Sequence, residues 1–134
     1  MSAVPSRPQY SLLIVEDDRG LRELYRSALR QAGYEVGAVE DGTDALWRID
    51  EWTPDVVVLD LALPRLAGRD LRHELRSRPD TRDVPIVVVT GTDSSDLDPN
   101  DFAAILRKPI ELEALVNAVD DAVRGVRRRS GDPV

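Results

Sequence analysis

The chain has no cysteine, so neither a disulfide framework nor a thiolate metal site is open to it. It also lacks a long apolar run. No stretch approaches the roughly 18 consecutive apolar residues that a membrane-spanning helix needs. The first nine residues carry Pro5 and Pro8 and no apolar core, so they are expected to form a flexible lead-in and not a signal peptide. A cytoplasmic location is the expectation that follows. Positive charge is in deficit: 18 Lys and Arg against 25 Asp and Glu leave a net charge of −7. Broad, sequence-independent binding of nucleic acid depends on neutralising phosphates, and that balance argues against it. The cluster Arg127-Arg128-Arg129 is the local exception. Its simpler role is to close a C-terminal helix, where positive charge suits the dipole. Lysine is nearly absent as well. Lys108 is the single one, and the other 17 basic residues are arginine.

What is present is a regular alternation. At 134 residues, with 42% hydrophobic and 32% charged residues, the chain fits one soluble domain. Ser11-Leu12-Leu13-Ile14-Val15 reads as a buried strand. Leu21, Leu24, Tyr25, Ala28, Leu29 and Ala32 follow at helical spacing, with Asp18 as N-cap and Gly33 as the stop. A weaker strand is expected over 35–39 and a helix over 43–52. A third strand, Asp55 to Asp60, follows Pro54, and a helix is expected over 68–77. Pro85 to Thr90 makes a fourth strand and Ala103 to Arg107 a fifth. A last helix from about Glu111 to Arg124 carries Leu112, Leu115, Val116, Val119 and Val123. Three of the strands are continuous apolar runs, which marks strands buried on both faces. The expected fold class is therefore α/β: a doubly wound, five-stranded parallel sheet with helices on both faces.

In such a sheet, ligands bind outside the carboxyl ends of the strands. Here those ends are polar. The first strand runs into Glu16-Asp17-Asp18, the third ends at Asp60, the fourth at Thr90 and the fifth at Lys108. Clustered carboxylates repel, and a hard divalent cation offsets the repulsion. Carboxylate oxygens suit Mg²⁺, and no histidine or cysteine is nearby to favour zinc. A carboxylate beside such an ion can attack phosphorus, and an ammonium and a hydroxyl can then steady the phosphoryl oxygens.

At these residues the chain resembles the receiver domains of two-component response regulators. The resemblance rests on Leu12 to Asp18, on Asp60-Leu61-Ala62-Leu63-Pro64 with Gly68 eight positions after the aspartate, on Pro85 to Thr90-Gly91, and on Lys108-Pro109. It spans about residues 10 to 124 and implies the strand order 2-1-3-4-5. The domain is expected over 10–126, and Arg127 to Val134, which ends in Ser-Gly-Asp-Pro-Val, is expected to be a flexible tail. The resemblance also implies that Asp60 accepts a phosphoryl group from a histidine kinase or phosphotransfer protein. Mg²⁺ would be held by Glu16, Asp17, Asp60 and the backbone carbonyl of Ala62. Thr90 and Lys108 would contact the phosphoryl group, and the Lys108–Pro109 bond would be cis. The domain would catalyse its own phosphorylation and dephosphorylation and switch an output partner, which the sequence does not name. It leaves the oligomeric state open between a monomer and a weak dimer.

Two departures qualify the resemblance. Receivers usually carry Tyr or Phe three residues before the lysine, and that place is taken by Ile105, with Phe102 three residues too early. Thr90 and Lys108 are 18 positions apart, several fewer than the family has, so the helix between them is expected to be a turn or a mobile loop. These departures favour an alternative, an interaction module that keeps the fold without phosphorylation. A phosphatase of the haloacid dehalogenase type needs a second aspartate two residues after the nucleophile, and Ala62 stands there. The lone His73 is expected to be exposed on the third helix, and Trp47 and Trp52 to make core or surface contacts of the second.

Overall fold

The computed structural model describes residues 10–61, 68–91 and 97–130. Among the described residues, five strands and four α-helices follow in the order β1 (Ser11–Val15), α1 (Arg19–Gln31), β2 (Glu35–Val39), α2 (Gly42–Glu51), β3 (Val56–Asp60), α3 (Gly68–Ser77), β4 (Ile86–Thr90), β5 (Ala104–Arg107) and α4 (Leu112–Ser130). All pairings are parallel, in the order β2-β1-β3-β4-β5. The fold class and strand order expected from the sequence are those observed.

The continuous apolar runs have a simple cause. Successive side chains of a strand point to opposite faces. Leu12 and Ile14 of β1, Val56 and Val58 of β3, and Val87 and Val89 of β4 pack with Tyr25 and Leu29 of α1 and Leu115 and Val119 of α4. The alternate residues Leu13, Val15, Val57, Leu59, Ile86 and Val88 pack with Ala45 and Ile49 of α2 and Leu71 and Leu75 of α3. Both parities are buried, so no polar residue interrupts the run. Fully burying one such side chain contributes about 1.5–3 kcal/mol relative to leaving it exposed.

Helix ends follow local chemistry. The Asp18 carboxylate accepts from the Leu21 amide at 2.9 Å and starts α1. Gly33, at φ 103°, turns the chain out of α1 in a conformation that side chains rarely adopt. Asp41 caps α2 through the Asp44 amide at 2.8 Å. The last helix departs from expectation, since it continues to Ser130 where the apolar pattern suggested an end near Arg124. Val126, one turn further on, still packs against the α1/α4 core and carries the helix past that point. Between β4 and β5 the described structure is a single 3₁₀ turn at Pro99–Asp101, capped by Asp98, so no full helix stands there among the described residues. β5 is an edge strand, each residue at least partly exposed.

Candidate functional site

Strand parity gathers the site. Glu16 continues the parity of Leu12 and Ile14, Asp60 that of Val56 and Val58, and Lys108 that of Ala104 and Leu106. All three therefore point to the α1/α4 side of the sheet, at its carboxyl edge. Register adds to this, because Val15 pairs with Leu59, which brings Glu16 and Asp60 level on neighbouring strands. Lys108 reaches across β4 to both. Its Nζ lies 2.8 Å from Glu16 Oε1 and 3.1 Å from Asp60 Oδ2. Both carboxylates are nearly sequestered, at 1% and 4% exposure. The Lys108–Pro109 bond that follows is cis.

The contact to Asp60 is a hydrogen bond. The contact to Glu16 is an ion pair out of line for one, and Glu16 Oε1 accepts no hydrogen bond among the described residues. Its other oxygen accepts from the Asp18 amide at 3.1 Å. Burial pushes the Glu16 carboxyl up to about 7, and the Asp60 charge adds to the rise, while Lys108 and the Asp18 amide oppose it. Burial works against the Lys108 charge, but its two carboxylate partners outweigh this and hold the ammonium at about 12.

Asp17 is exposed, yet its carboxylate and those of Glu16 and Asp60 bring oxygens within 4.8 Å of one another. An all-oxygen donor set with a buried oxygen lacking an aligned donor suits a hard divalent cation. Thr90 is fully buried. Its carbonyl accepts from the Lys108 amide at 2.9 Å. The structure thus brings Glu16, Asp17, Asp60 and Lys108 together through side chains and joins Thr90 to them through the backbone. Ala62 lies outside the described residues.

One contributor was not foreseen. Arg22 donates to the carbonyls of Glu16, at 2.9 Å, and Asp17, at 3.3 Å, and so ties the acidic turn to the first turn of α1. Its only sequence signal was position, five and six residues after those carbonyls. His73 is exposed, as expected. Trp47 is 69% exposed, while Trp52 packs on the α2/α3 core beneath Arg48.

Residues 12–120 match the family of the response regulator receiver domain. The response regulator MprA of Mycobacterium sp. (strain KMS) is 41% identical over an alignment of 112 residues that covers 78% of this chain and 46% of that protein. This chain therefore spans about half the length of the curated relatives it matches. Among solved structures, a sensor protein from Polaromonas sp. JS666 superposes with a TM-score of 0.82 at 27% identity, covering 89% of this chain and 99% of that one. The response regulator receiver domain (CheY-like) from Methylobacillus flagellatus does so with a TM-score of 0.75 at 31% identity, covering 84% and 98%. The chain belongs to the receiver domain family of two-component response regulators. No helix among the described residues is long and apolar enough to cross a membrane.

Proposed function

We propose that this receiver accepts a phosphoryl group on Asp60 from the phosphohistidine of a histidine kinase or phosphotransfer protein in the cytoplasm. An Asp60 oxygen attacks phosphorus, the O–P bond forms, and the P–N bond breaks with its electron pair returning to the imidazole. Mg²⁺, held by Glu16, Asp17, Asp60 and the Ala62 carbonyl, would neutralise charge on the phosphoryl oxygens. Lys108 supplies the second cation. Its ammonium already sits 3.1 Å from Asp60 and needs only to turn from carboxylate to phosphoryl oxygen. Thr90 supplies a hydroxyl donor to the same group, and its closeness in the backbone to Lys108 supports a concerted adjustment of the two. Hydrolysis of the acyl phosphate by water restores Asp60 and ends the signal.

The observation that carries this reading is the single ammonium lodged between two buried carboxylates of adjacent strands, within 3.1 Å of both. The test is incubation with Mg²⁺ and a small-molecule phosphodonor, followed by intact mass. A single labile adduct is expected in wild type and none in Asp60→Asn. No adduct in wild type points to the second reading, an interaction module independent of phosphorylation. Ile105 favours that alternative, because it is embedded with the α2/α3 core where the family's movable aromatic would stand.

A further inference from the structure

The turn that carries Glu16 and Asp17 is held along its backbone by one residue. Arg22 Nη1 donates to the carbonyl of Glu16 at 2.9 Å and to that of Asp17 at 3.3 Å. The Arg22 amide donates to the carbonyl of Asp18 at 2.9 Å. All three carbonyls of the acidic turn are thus served from the first turn of α1. The amides are held as well. Glu16 N–H donates to the Val39 carbonyl of β2, and Asp18 N–H to the Glu16 carboxylate, each at 3.1 Å. With its carbonyls engaged, the turn faces the rim through the Glu16 and Asp17 carboxylates, which bring oxygens within 4.8 Å of one another and of Asp60.

By charge alone an arginine is out of place here, because a guanidinium beside the ligands of a cation repels that cation. Its hydrogen bonds go to carbonyls and not to the carboxylates, so what it supplies is a fixed backbone. Fixity and ligand number are what separate Mg²⁺ from Ca²⁺. Mg²⁺ demands near-ideal octahedral geometry and is held by one or two carboxylates with several waters, whereas Ca²⁺ gathers about six to eight oxygens, backbone carbonyls among them, in a flexible shell. A rigid turn whose carbonyls are already engaged suits the first ion and withholds ligands from the second.

We propose that Arg22 is a positioning residue that sets the ion preference of this site, favouring Mg²⁺ over Ca²⁺ by fixing the acidic turn and occupying its carbonyls. The proposal rests on Glu16, Asp17 and Asp60 being the metal ligands, and not on the transfer of a phosphoryl group. Removing Arg22 has two opposed effects. Loss of its charge strengthens the binding of both divalent ions alike. Loss of its hydrogen bonds loosens the turn, which weakens Mg²⁺ and opens carbonyls to Ca²⁺. Arg22 is half-buried, so water and salt screen the first effect. Partners that orient metal ligands contribute roughly 10–100-fold to affinity, so the second effect prevails for Mg²⁺.

Titration calorimetry of the full chain with MgCl₂ and with CaCl₂ reads this directly. In Arg22→Met the Mg²⁺ affinity is expected to fall about tenfold, while that for Ca²⁺ falls less or rises, so the ratio of the two drops. Tighter binding of both ions, or an equal change in both, shows that Arg22 acts through charge or general stability and overturns the proposal. Arg22→Lys keeps the charge and serves in its place if Arg22→Met does not fold. Its ammonium, on a shorter stem without the planar fork, should retain only part of the preference. A wild-type ratio in Arg22→Lys shows that charge is enough and overturns the proposal too. Intact mass after treatment with Mg²⁺ and a small-molecule phosphodonor keeps the two readings apart. A preference for Mg²⁺ that depends on Arg22, without any adduct on wild type, supports the role of Arg22 and removes the phosphoacceptor. Wild type that binds neither ion overturns the metal ligands and the proposal with them.

Discussion

Lys108 approaches Glu16 more closely than it approaches Asp60, at 2.8 Å against 3.1 Å, although only the bond to Asp60 is aligned. The ammonium is thus a counter-ion shared by β1 and β3. A compact charge on a flexible stem can serve both carboxylates and later turn to a third group, whereas a planar guanidinium is committed to a fixed fork.

Replacing Lys108 by Met should therefore leave two buried carboxylates facing each other. Loss of about 2 kcal/mol of stability is expected in urea unfolding without metal, together with loss of phosphorylation. Lys108→Arg should recover most of the stability and little of the phosphorylation rate. Equal recovery of both would show that the site needs charge alone.

Metal should stabilise the fold. A ligand bound to the folded state at 100 times its Kd adds about 2.7 kcal/mol, so Mg²⁺ should raise the melting temperature and EDTA reverse it. Asp17→Asn, which alters an exposed carboxylate, should keep the metal-free melting temperature and weaken the response to Mg²⁺. An unchanged response would remove Asp17 from the metal set.

In EDTA the stability should fall with pH in a defined window. The Glu16 carboxyl moves from an ordinary 4.5 to about 7 on folding, so the folded state holds a proton that the unfolded state releases. This contribution is complete below 4.5 and is lost as pH rises through about 7. Glu16→Gln should flatten the melting temperature across that window. A profile with the same slope in wild type and variant would place the titration elsewhere.

A distant bond should separate stability from signalling. Tyr34, buried beside α1, donates to Asp120 of α4. Tyr34→Phe should cost about 1 kcal/mol in urea unfolding and leave the rate of phosphorylation unchanged.

The fold was legible because its elements rest on local periodicity. Leu12 to Val15 had to face two cores, and the acidic and basic strand ends then fell on one rim. Asp18 and Gly33 were legible for the same reason, since caps are set by their immediate neighbours. Contacts that depend on a distant partner were not. Arg72 looks like any of 17 arginines until the fold puts Phe102 beside it; Arg22 was missed for another reason, because its nearby acceptors are backbone carbonyls that no side-chain pattern marks. Phe102 stood out as an aromatic in the wrong place, but nothing local to it pointed to α3. The run of α4 to Ser130 escaped because Val126 is a single apolar residue among arginines, and its value lies in the core it meets.

The most direct test is to locate the phosphoryl group. Wild-type protein treated with Mg²⁺ and a small-molecule phosphodonor is quenched with hydroxylamine, which converts an acyl phosphate to a hydroxamate, and digested for peptide mass analysis. A hydroxamate on Asp60 and on no other carboxylate, absent in Asp60→Asn, is the predicted result. A hydroxamate on Glu16 or Asp17 alone, or none in fully folded wild type, would contradict the account.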